Sequence, residues 1–283
     1  MKRLYCLLCP SLVLIFLFVS QPIFPASDLS QRSPQPGFLT RKFTDARGAS
    51  MTYYLAPPRN YNPRERYPLV LLLHGGGERG QSTNTPAQNR ALLVNDPYVS
   101  YWSSAAVQDR WPSFIVAPQV MNTNQWVNTP IAQGSYQLAP QPTSALQLAR
   151  DIVDRLQQTY PDIDATRLYI TGISMGGYGT WDAIERWPAY FAAAAPVAGA
   201  GDPALAPRLT KLPIWAFQGG DDSVVPVSGS RQMVQAIRAA GGNPRYTEYA
   251  GADHDIWMRV YSSPDFIAWL FAQQSRHVKS PSG

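Results

Sequence analysis

Uninterrupted aliphatic runs alternate along this chain with longer stretches whose apolar residues recur at helical spacing. The run 69–73 has five aliphatic residues and no polar alternation, which is typical of a strand covered on both faces of a parallel sheet. Elsewhere Ala149, Ile152, Val153 and Leu156 fall on one helical face. This alternation predicts an α/β domain, with helices on both faces of a doubly wound, mostly parallel sheet.

The predicted elements lie between residue 42 and residue 271. Ser144 and Gln147 form a capping-box pattern at the start of helix 144–160, and Gly241 follows helix 228–240. Two further helices are predicted at 175–187 and 264–271. The predicted strands are 42–43, 51–55, 69–74, 114–118, 168–172, 192–197, 214–218 and 246–249, the first two as an antiparallel hairpin.

A serine stands where the strand 168–172 turns into the helix 175–187. Gly172, Ser174 and Gly176 complete a Gly-x-Ser-x-Gly pentapeptide. In this strand-to-helix context the pentapeptide exposes a nucleophilic hydroxyl on a tight turn. Glycine is expected at both flanks because the turn brings neighbouring backbone too close for a Cβ.

Three consecutive glycines follow the strand 69–74. A tight turn between a strand and a helix needs one glycine, whereas this loop has Gly75, Gly76 and Gly77. Such a loop offers backbone N–H groups to a developing negative charge. We expect an oxyanion hole whose two donors are Gly76 and Met175, the residue after the serine.

An acid and a base follow later strand patterns. Asp221 and Asp222 are adjacent candidates for the acid, and spacing alone does not choose between them. A pair of aspartates in a solvent-exposed turn without a catalytic role is the alternative. Of the three histidines, His277 lies in a polar tail, and His74 suits a structural hydrogen bond beside the glycine loop. His254 therefore remains as the base. The order serine, acid, base is that of α/β hydrolases, and all three residues are expected at one edge of the sheet.

Four segments carry a resemblance to the α/β-hydrolase superfamily over about residues 51–271. They are His-Gly-Gly-Gly-Glu-Arg-Gly at 74–80, Gly-Ile-Ser-Met-Gly-Gly-Tyr-Gly-Thr-Trp at 172–181, Gly-Gly-Asp-Asp-Ser-Val-Val-Pro at 219–226 and Gly-Ala-Asp-His-Asp-Ile-Trp at 251–257. The chain resembles the exported single-domain esterases, which include feruloyl and polyhydroxyalkanoate esterases and "predicted peptidases" similar to prolyl oligopeptidase. The resemblance selects Asp222 as the acid. Family members often have His-Gly where this chain has Gln218 and Gly219.

The start of the chain has the character of a secretory leader. Lys2 and Arg3 precede an apolar run, which is short for a membrane-spanning helix and gives way to Pro-rich polar sequence. We expect a signal peptide at 1–26 and a secreted or periplasmic protein. The alternative is an uncleaved leader, through which alone we expect the protein to contact a membrane. The other predicted parts are a flexible linker at 27–38, the catalytic domain at 39–275 and a polar tail at 276–283.

Composition excludes several classes of function. The net charge of +5 falls to +3 without Lys2 and Arg3, and no basic run is present, so we expect no nucleic-acid partner. Cys6 and Cys9 are the two cysteines. Because both lie in the leader, the mature chain is expected to have no catalytic thiol and no disulfide. The expected chemistry needs no metal and no cofactor.

Two long segments, 78–110 and 120–142, exceed what a minimal α/β scheme needs. Both leave the C-terminal ends of strands, where ligands bind in such sheets, and both are rich in amide and aromatic residues. We expect them to build the substrate cleft. Trp126 is either an aromatic platform for the substrate or a core contact that anchors its loop.

Three further side chains are candidate substrate contacts. Trp257 follows the base by three residues and can pack beneath the base loop or face the substrate. Glu78 and Arg79 follow the glycine loop, and they can pair with each other or contact the substrate.

The expected function is that of a serine carboxylesterase that forms an acyl-enzyme on small or polymeric esters. A serine peptidase is the first rival, because the same three residues cleave amides. The second rival is a polymer-binding protein on a degenerate hydrolase fold. The sequence leaves the acyl group, the alcohol and the oligomeric state open.

Overall fold

The computed structural model describes residues 37–275. The predicted signal peptide at 1–26, the linker up to residue 36 and the tail at 276–283 lie outside the described residues. Within the described range, no helix is both long enough and apolar enough to cross a membrane.

Eight strands and eight α-helices make up this range. The strands are β1 (Leu39–Thr44), β2 (Ser50–Ala56), β3 (Tyr67–Leu73), β4 (Phe114–Gln119), β5 (Ile163–Ile173), β6 (Ala193–Val197), β7 (Trp215–Gly219) and β8 (Arg245–Tyr249). The helices are α1 (Pro86–Val94), α2 (Pro97–Trp102), α3 (Ala105–Gln108), α4 (Ser144–Thr159), α5 (Met175–Arg186), α6 (Val227–Ala239), α7 (Trp257–Tyr261) and α8 (Pro264–Phe271). Short 3₁₀ turns lie at Ile131–Gln133 and Pro203–Leu209.

All eight strands form one sheet in the order β1-β2-β4-β3-β5-β6-β7-β8. β2 pairs antiparallel with both β1 and β4, and every pairing from β4 to β8 is parallel. The predicted mostly parallel α/β sheet is thereby confirmed.

The sheet is buried on both faces, as the unalternated run 69–73 predicts. Every residue of β3 is buried, and successive side chains enter different apolar clusters. Leu71 packs in the cluster that contains Trp181 of α5, whereas Leu72 packs in the cluster that contains Phe266 of α8. Side chains of a strand point alternately to opposite faces, so helices cover both sides of the sheet.

Three local expectations need correction. The side chain of Thr143, not of Ser144, caps α4, because the Thr143 hydroxyl accepts from the N–H of Leu146 at 3.1 Å. β5 begins five residues earlier than predicted, at Ile163. The segment 78–110 also contains α1, α2 and α3, whose side chains Tyr98 and Trp102 are fully buried in the core. Most of this segment therefore completes one helical layer.

Candidate active site

The candidate nucleophile lies on a strained turn between β5 and α5. Ser174 has φ 52° and ψ −117°, a left-handed conformation that is unfavourable for a residue with a Cβ. Its N–H donates to the carbonyl of Val197 on β6 at 2.9 Å. A Cβ on Gly172 would overlap the carbonyl of Gly176, and a Cβ on Gly176 would overlap that of Leu73. The close approach of these backbones explains the glycine at both flanks of the serine.

The imidazole of His254 bridges the serine to a carboxylate. Its Nε2 lies 2.9 Å from the hydroxyl oxygen of Ser174, and its Nδ1 lies 2.8 Å from Oδ2 and 3.0 Å from Oδ1 of Asp222. A nitrogen that faces a carboxylate carries the ring proton, which leaves the other nitrogen to accept from the hydroxyl. The structure thus brings together three side chains from three separate loops.

Asp222, not its neighbour Asp221, is the aspartate in contact with the base. Its side chain is fully buried, and backbone N–H groups of Val224 and Val225 donate to its Oδ1 at 3.0 and 2.8 Å. The amide Nε2 of Gln218 donates to its Oδ2 at 2.7 Å. Asp221 is exposed. The hydrogen bonds at Asp222 compensate for the loss of water around a buried charge.

A second aspartate, Asp253, joins the acid loop to the base loop. One of its oxygens accepts from the backbone N–H and the hydroxyl of Ser223 and from the backbone N–H of His254, each at 2.8 Å. These hydrogen bonds lower the pKa of Asp253, and the one from the Ser223 N–H has the largest effect. Gly219 permits the contact, because a Cβ there would overlap backbone of Ala252 and Asp253. This role of Asp253 was not predicted, and its one signal in the sequence is that Asp253 directly precedes the base.

The other histidine of the described range has a structural environment. The Nδ1 of His74 lies 2.6 Å from the carbonyl of Gly75, and its Nε2 accepts from the N–H of Val120 at 3.0 Å. Burial lowers the pKa of His74 to about 4, so the ring is neutral. Its hydrogen bonds fasten the start of the glycine loop to the end of β4.

Glu78 and Arg79 each contact the glycine loop but do not pair with each other. The Nε of Arg79 donates to the carbonyl of Gly76 at 3.0 Å, and the Glu78 carboxyl accepts from the Tyr98 hydroxyl at 3.2 Å and lies over Gly75. Burial raises the pKa of Glu78, and the nearby Asp96 adds to the effect. Of the two alternatives for this pair, the mutual ion pair is wrong.

The two candidate tryptophans differ in position. Trp126 is fully buried, and its indole N–H donates to the carbonyl of His74 at 2.9 Å. The prediction of an aromatic platform is wrong, because no face of the ring is accessible, and the alternative of a core contact holds. Trp257 is half-buried, and its ring meets that of His254 edge-on, with 5.4 Å between centroids. Trp257 therefore supports the base.

Geometry also bears on the expected oxyanion donors. Met175 is the first residue of α5, so its N–H has no acceptor within the helix. Around Gly76, the space where a Cβ would point holds no atom within 4 Å apart from its chain neighbours, so no side chain would crowd this part of the loop. The role of Gly76 and Met175 as donors stays a prediction.

Polar residues of segment 120–142 line a cavity next to the glycine loop. The cavity has a volume of about 430 Å³, and its lining includes Arg79 and the amide side chains Asn122, Asn124, Gln125 and Asn128. Arg79 also contacts the carbonyl of Gly76 and so links this cavity to the glycine loop, whereas Ser174, Asp222 and His254 do not line it.

Comparisons with known proteins identify the family and the fold. Residues 114–262, more than half of the chain, match the dienelactone hydrolase family. A bifunctional acetylxylan esterase/xylanase from Neocallimastix patriciarum is 27% identical over 178 residues, which are 63% of this chain but only 22% of that protein. The chain therefore corresponds to one part of a much longer relative.

Solved structures share the fold. The crystal structure of a thermostable esterase has a TM-score of 0.71 and 37% identity, and the match covers 84% of this chain and 63% of that one. A feruloyl esterase module from Clostridium thermocellum, complexed with sinapinate, has a TM-score of 0.59 and 18% identity, covering 87% and 92% of the two chains. Peptidases are also among the structures with this fold. The α/β-hydrolase fold is thus established.

Proposed function

The chain belongs to the dienelactone hydrolase family, and from this membership and the contacts of its serine we propose that it is an exported serine esterase. The observation that carries the proposal is the hydrogen-bonded chain from Ser174 through His254 to Asp222. A serine hydroxyl is a weak nucleophile unless a base that is itself oriented by a third group activates it. These side chains meet that requirement.

In the proposed acylation step, the Ser174 oxygen attacks the ester carbonyl while His254 Nε2 takes the hydroxyl proton. Asp222 holds the ring by its Nδ1–H and stabilises the imidazolium. The tetrahedral intermediate then loses the alcohol, which leaves with the proton from His254. The acyl group remains on Ser174 as an ester.

The negative charge of the tetrahedral intermediate falls on the former carbonyl oxygen. We assign its stabilisation to the N–H groups of Gly76 and Met175, each worth about 3–4 kcal/mol of barrier if it acts as an oxyanion-hole donor. The position of Met175 at the start of α5 adds the positive end of the helix dipole. Arg79 fixes the Gly76 carbonyl and places a cation beside the same loop.

Deacylation repeats these steps with water as the nucleophile. His254 takes a proton from water, the resulting hydroxide attacks the acyl group, and Ser174 leaves with the proton returned by the ring. The products are one carboxylic acid and one alcohol. The side chains already described supply every proton transfer in this cycle.

The substrate is proposed to be a small or polymeric carboxylic ester, as suits the names of the esterase relatives. The amide-lined cavity beside Arg79 suits a hydroxyl-rich part of such a substrate, because amides donate and accept hydrogen bonds. Export is part of the proposal and depends on the leader-like residues 1–26.

Replacement of the nucleophile tests the proposed function. Ser174→Ala should reduce turnover of a short-chain aryl ester by roughly 10⁴- to 10⁶-fold and leave the circular dichroism spectrum unchanged. Asp221→Ala serves as the matched control on an exposed loop position and should retain activity. Substantial turnover by the Ser174→Ala protein would refute the assignment.

A comparison of an ester with an amide substrate distinguishes the esterase proposal from the peptidase alternative. Wild-type enzyme should hydrolyse the aryl ester with a higher kcat/KM than a proline amide with the same chromophore. A preference for the amide contradicts the esterase proposal while leaving the nucleophile in place.

A further inference from the structure

A buried glutamine contacts the carboxylate on which the proposed mechanism depends. Gln218 lies in β7, next to its last residue, and its side chain is fully buried. Its amide nitrogen lies 2.7 Å from Oδ2 of Asp222, the same oxygen that lies 2.8 Å from the Nδ1 of His254. The amide is therefore one hydrogen bond away from the base.

The orientation of this amide is fixed by its other neighbours. Its nitrogen faces a second acceptor, the carbonyl of Val225, at 3.2 Å, and its oxygen lies 2.8 Å from the hydroxyl of Ser230 on α6. A flipped amide would direct its oxygen at both the Asp222 carboxylate and the Val225 carbonyl, and neither group can donate to it. The nitrogen must therefore face Asp222.

Ser230 in turn is held in place by the backbone. Its hydroxyl is buried and lies 2.9 Å from the carbonyl of Gly199, in the loop that follows β6. A chain of polar contacts thus runs from the β6 loop through Ser230 and Gln218 to Asp222. Each member of this chain is inaccessible to water, so no solvent molecule can replace a lost partner without a rearrangement.

We propose that Gln218 is a positioning residue, which holds the Asp222 carboxylate in the plane and at the distance that orient the base. This inference rests on the proposed function. The backbone donors of Val224 and Val225 both bind Oδ1. Among residues 37–275, Gln218 therefore supplies the one hydrogen bond, besides that of His254, which restrains Oδ2. Without it the carboxylate can rotate about its Cβ–Cγ bond, and the imidazole loses its fixed orientation toward Ser174.

Replacement of Gln218 by methionine tests the role of its amide. Gln218→Met keeps the length of the side chain and removes the donor. We expect kcat for an aryl ester to fall about tenfold or more, with KM changed less than twofold because Gln218 does not touch the substrate. Gln218→His, which retains an N–H donor, should recover most of the activity.

A second buried glutamine provides the matched control. Gln108 is buried, and its amide bonds to the carbonyl of Trp102 and the side chain of Ser113, outside the triad. Gln108→Met removes an equivalent donor and is expected to lower stability without changing kcat. An equal loss of kcat in both variants would show that Gln218 acts only through general stability, and it overturns the proposal.

The proton between His254 and Asp222 gives a readout that depends on geometry and not on turnover. In the ¹H NMR spectrum its low-field resonance should shift or broaden in Gln218→Met and stay in place in Gln108→Met. Should Gln218→Met fail to fold, Ser230→Ala removes the contact that fixes the amide. We expect this variant to lower kcat about threefold and to move the same resonance.

The outcomes separate this inference from the proposed function. Unchanged kcat and an unmoved resonance in Gln218→Met, or in Ser230→Ala where the first variant is unfolded, contradict the role of Gln218 in an active enzyme. Wild-type protein without any ester turnover refutes the proposed function instead, and the resonance then still decides whether Gln218 positions the acid.

Discussion

A buried carboxyl group lies near each end of helix α5 (Met175–Arg186), and the two carboxyls differ in the number of hydrogen bonds that they accept. At its N-terminal end, Ser174 contacts His254, which contacts the buried Asp222. At its C-terminal end, the carboxyl of Glu185 is also fully buried. One of its oxygens accepts from the N–H of Asp202 at 2.8 Å, and the other has no hydrogen-bond partner among residues 37–275.

The difference lies in how many donors meet each buried carboxyl. Asp222 accepts hydrogen bonds from two backbone N–H groups, from Gln218 and from His254. Glu185 has one donor, so burial raises the pKa of its carboxyl well above the usual range. A buried carboxylate can keep its charge for chemistry only where the surrounding loops are built to solvate it. The N-terminal end, where the buried carboxylate accepts several hydrogen bonds, is the end at which the proposed reaction takes place.

Exchange of each neighbouring aspartate for asparagine tests the N-terminal end and should give the largest effect. Asp222→Asn should lower kcat by roughly 10³- to 10⁴-fold, because an asparagine no longer favours the ring tautomer that accepts from Ser174. Asp221→Asn is the control and should lose less than threefold, since Asp221 is exposed. Kinetics on one aryl ester measure both, and the reverse order of losses would show that the acid has been misassigned.

A substitution of Trp126, which packs against the middle of α5, tests whether this residue has a structural or a substrate-binding role. A Cβ on Gly179 would press against the side chain of Trp126, so this indole packs directly on the helix. Trp126→Phe should reduce the free energy of unfolding by about 2–3 kcal/mol, because it leaves the His74 carbonyl without its donor. KM should stay within twofold of wild type. An increase in KM at unchanged stability, measured by urea unfolding, would restore Trp126 as a substrate contact.

Glu185→Gln tests the C-terminal end and should have a smaller, stabilising effect. The pKa of Glu185 is higher in the folded than in the unfolded protein, where it is about 4.5. The folded state therefore binds the extra proton, and wild-type stability falls as the pH rises above 4.5. The neutral glutamine avoids this loss. We expect the free energy of unfolding of the variant to exceed that of wild type at pH 8 and to equal it at pH 4, as measured by urea unfolding at both pH values.

A glutamate with the opposite shift serves as the control for this experiment. Arg231 and then Tyr246 lower the pKa of Glu248 to about 2 through hydrogen bonds. Its contribution to stability is therefore present above pH 4.5 and is lost as the pH falls toward 2. Glu248→Gln should be slightly destabilising at pH 8, and equal effects of both substitutions at pH 8 would contradict the distinction.

Local sequence patterns were sufficient for the sheet and for the positions of the serine and the base. Aliphatic runs and glycines act through neighbouring residues, so β3 and the turn at Ser174 can be predicted from a few positions. The cap of α4 shows the limit of such patterns, because Thr143 and Ser144 are both suitable and only the backbone geometry selects Thr143.

Contacts between distant segments could not be predicted in the same way. The link from Asp253 to Ser223 joins residues 30 apart in the chain, and that from Trp126 to His74 joins residues 52 apart. The residue type does not identify the partner in either case. An aspartate is as common in a solvent-exposed turn as in a contact between loops, and a tryptophan can be a ligand platform as well as a core contact. The contact of Gln218 with Asp222 is closer in sequence but depends on the path of the loop between them.

The central claim is that Ser174 is a hydroxyl nucleophile activated by His254, and covalent labelling tests it most directly. Wild-type protein treated with a fluorophosphonate probe and mapped by peptide mass spectrometry should carry one adduct, on Ser174. His254→Ala should react at least 10³-fold more slowly, because the base is absent. An unlabelled wild-type protein, or an adduct on another residue, would contradict the account.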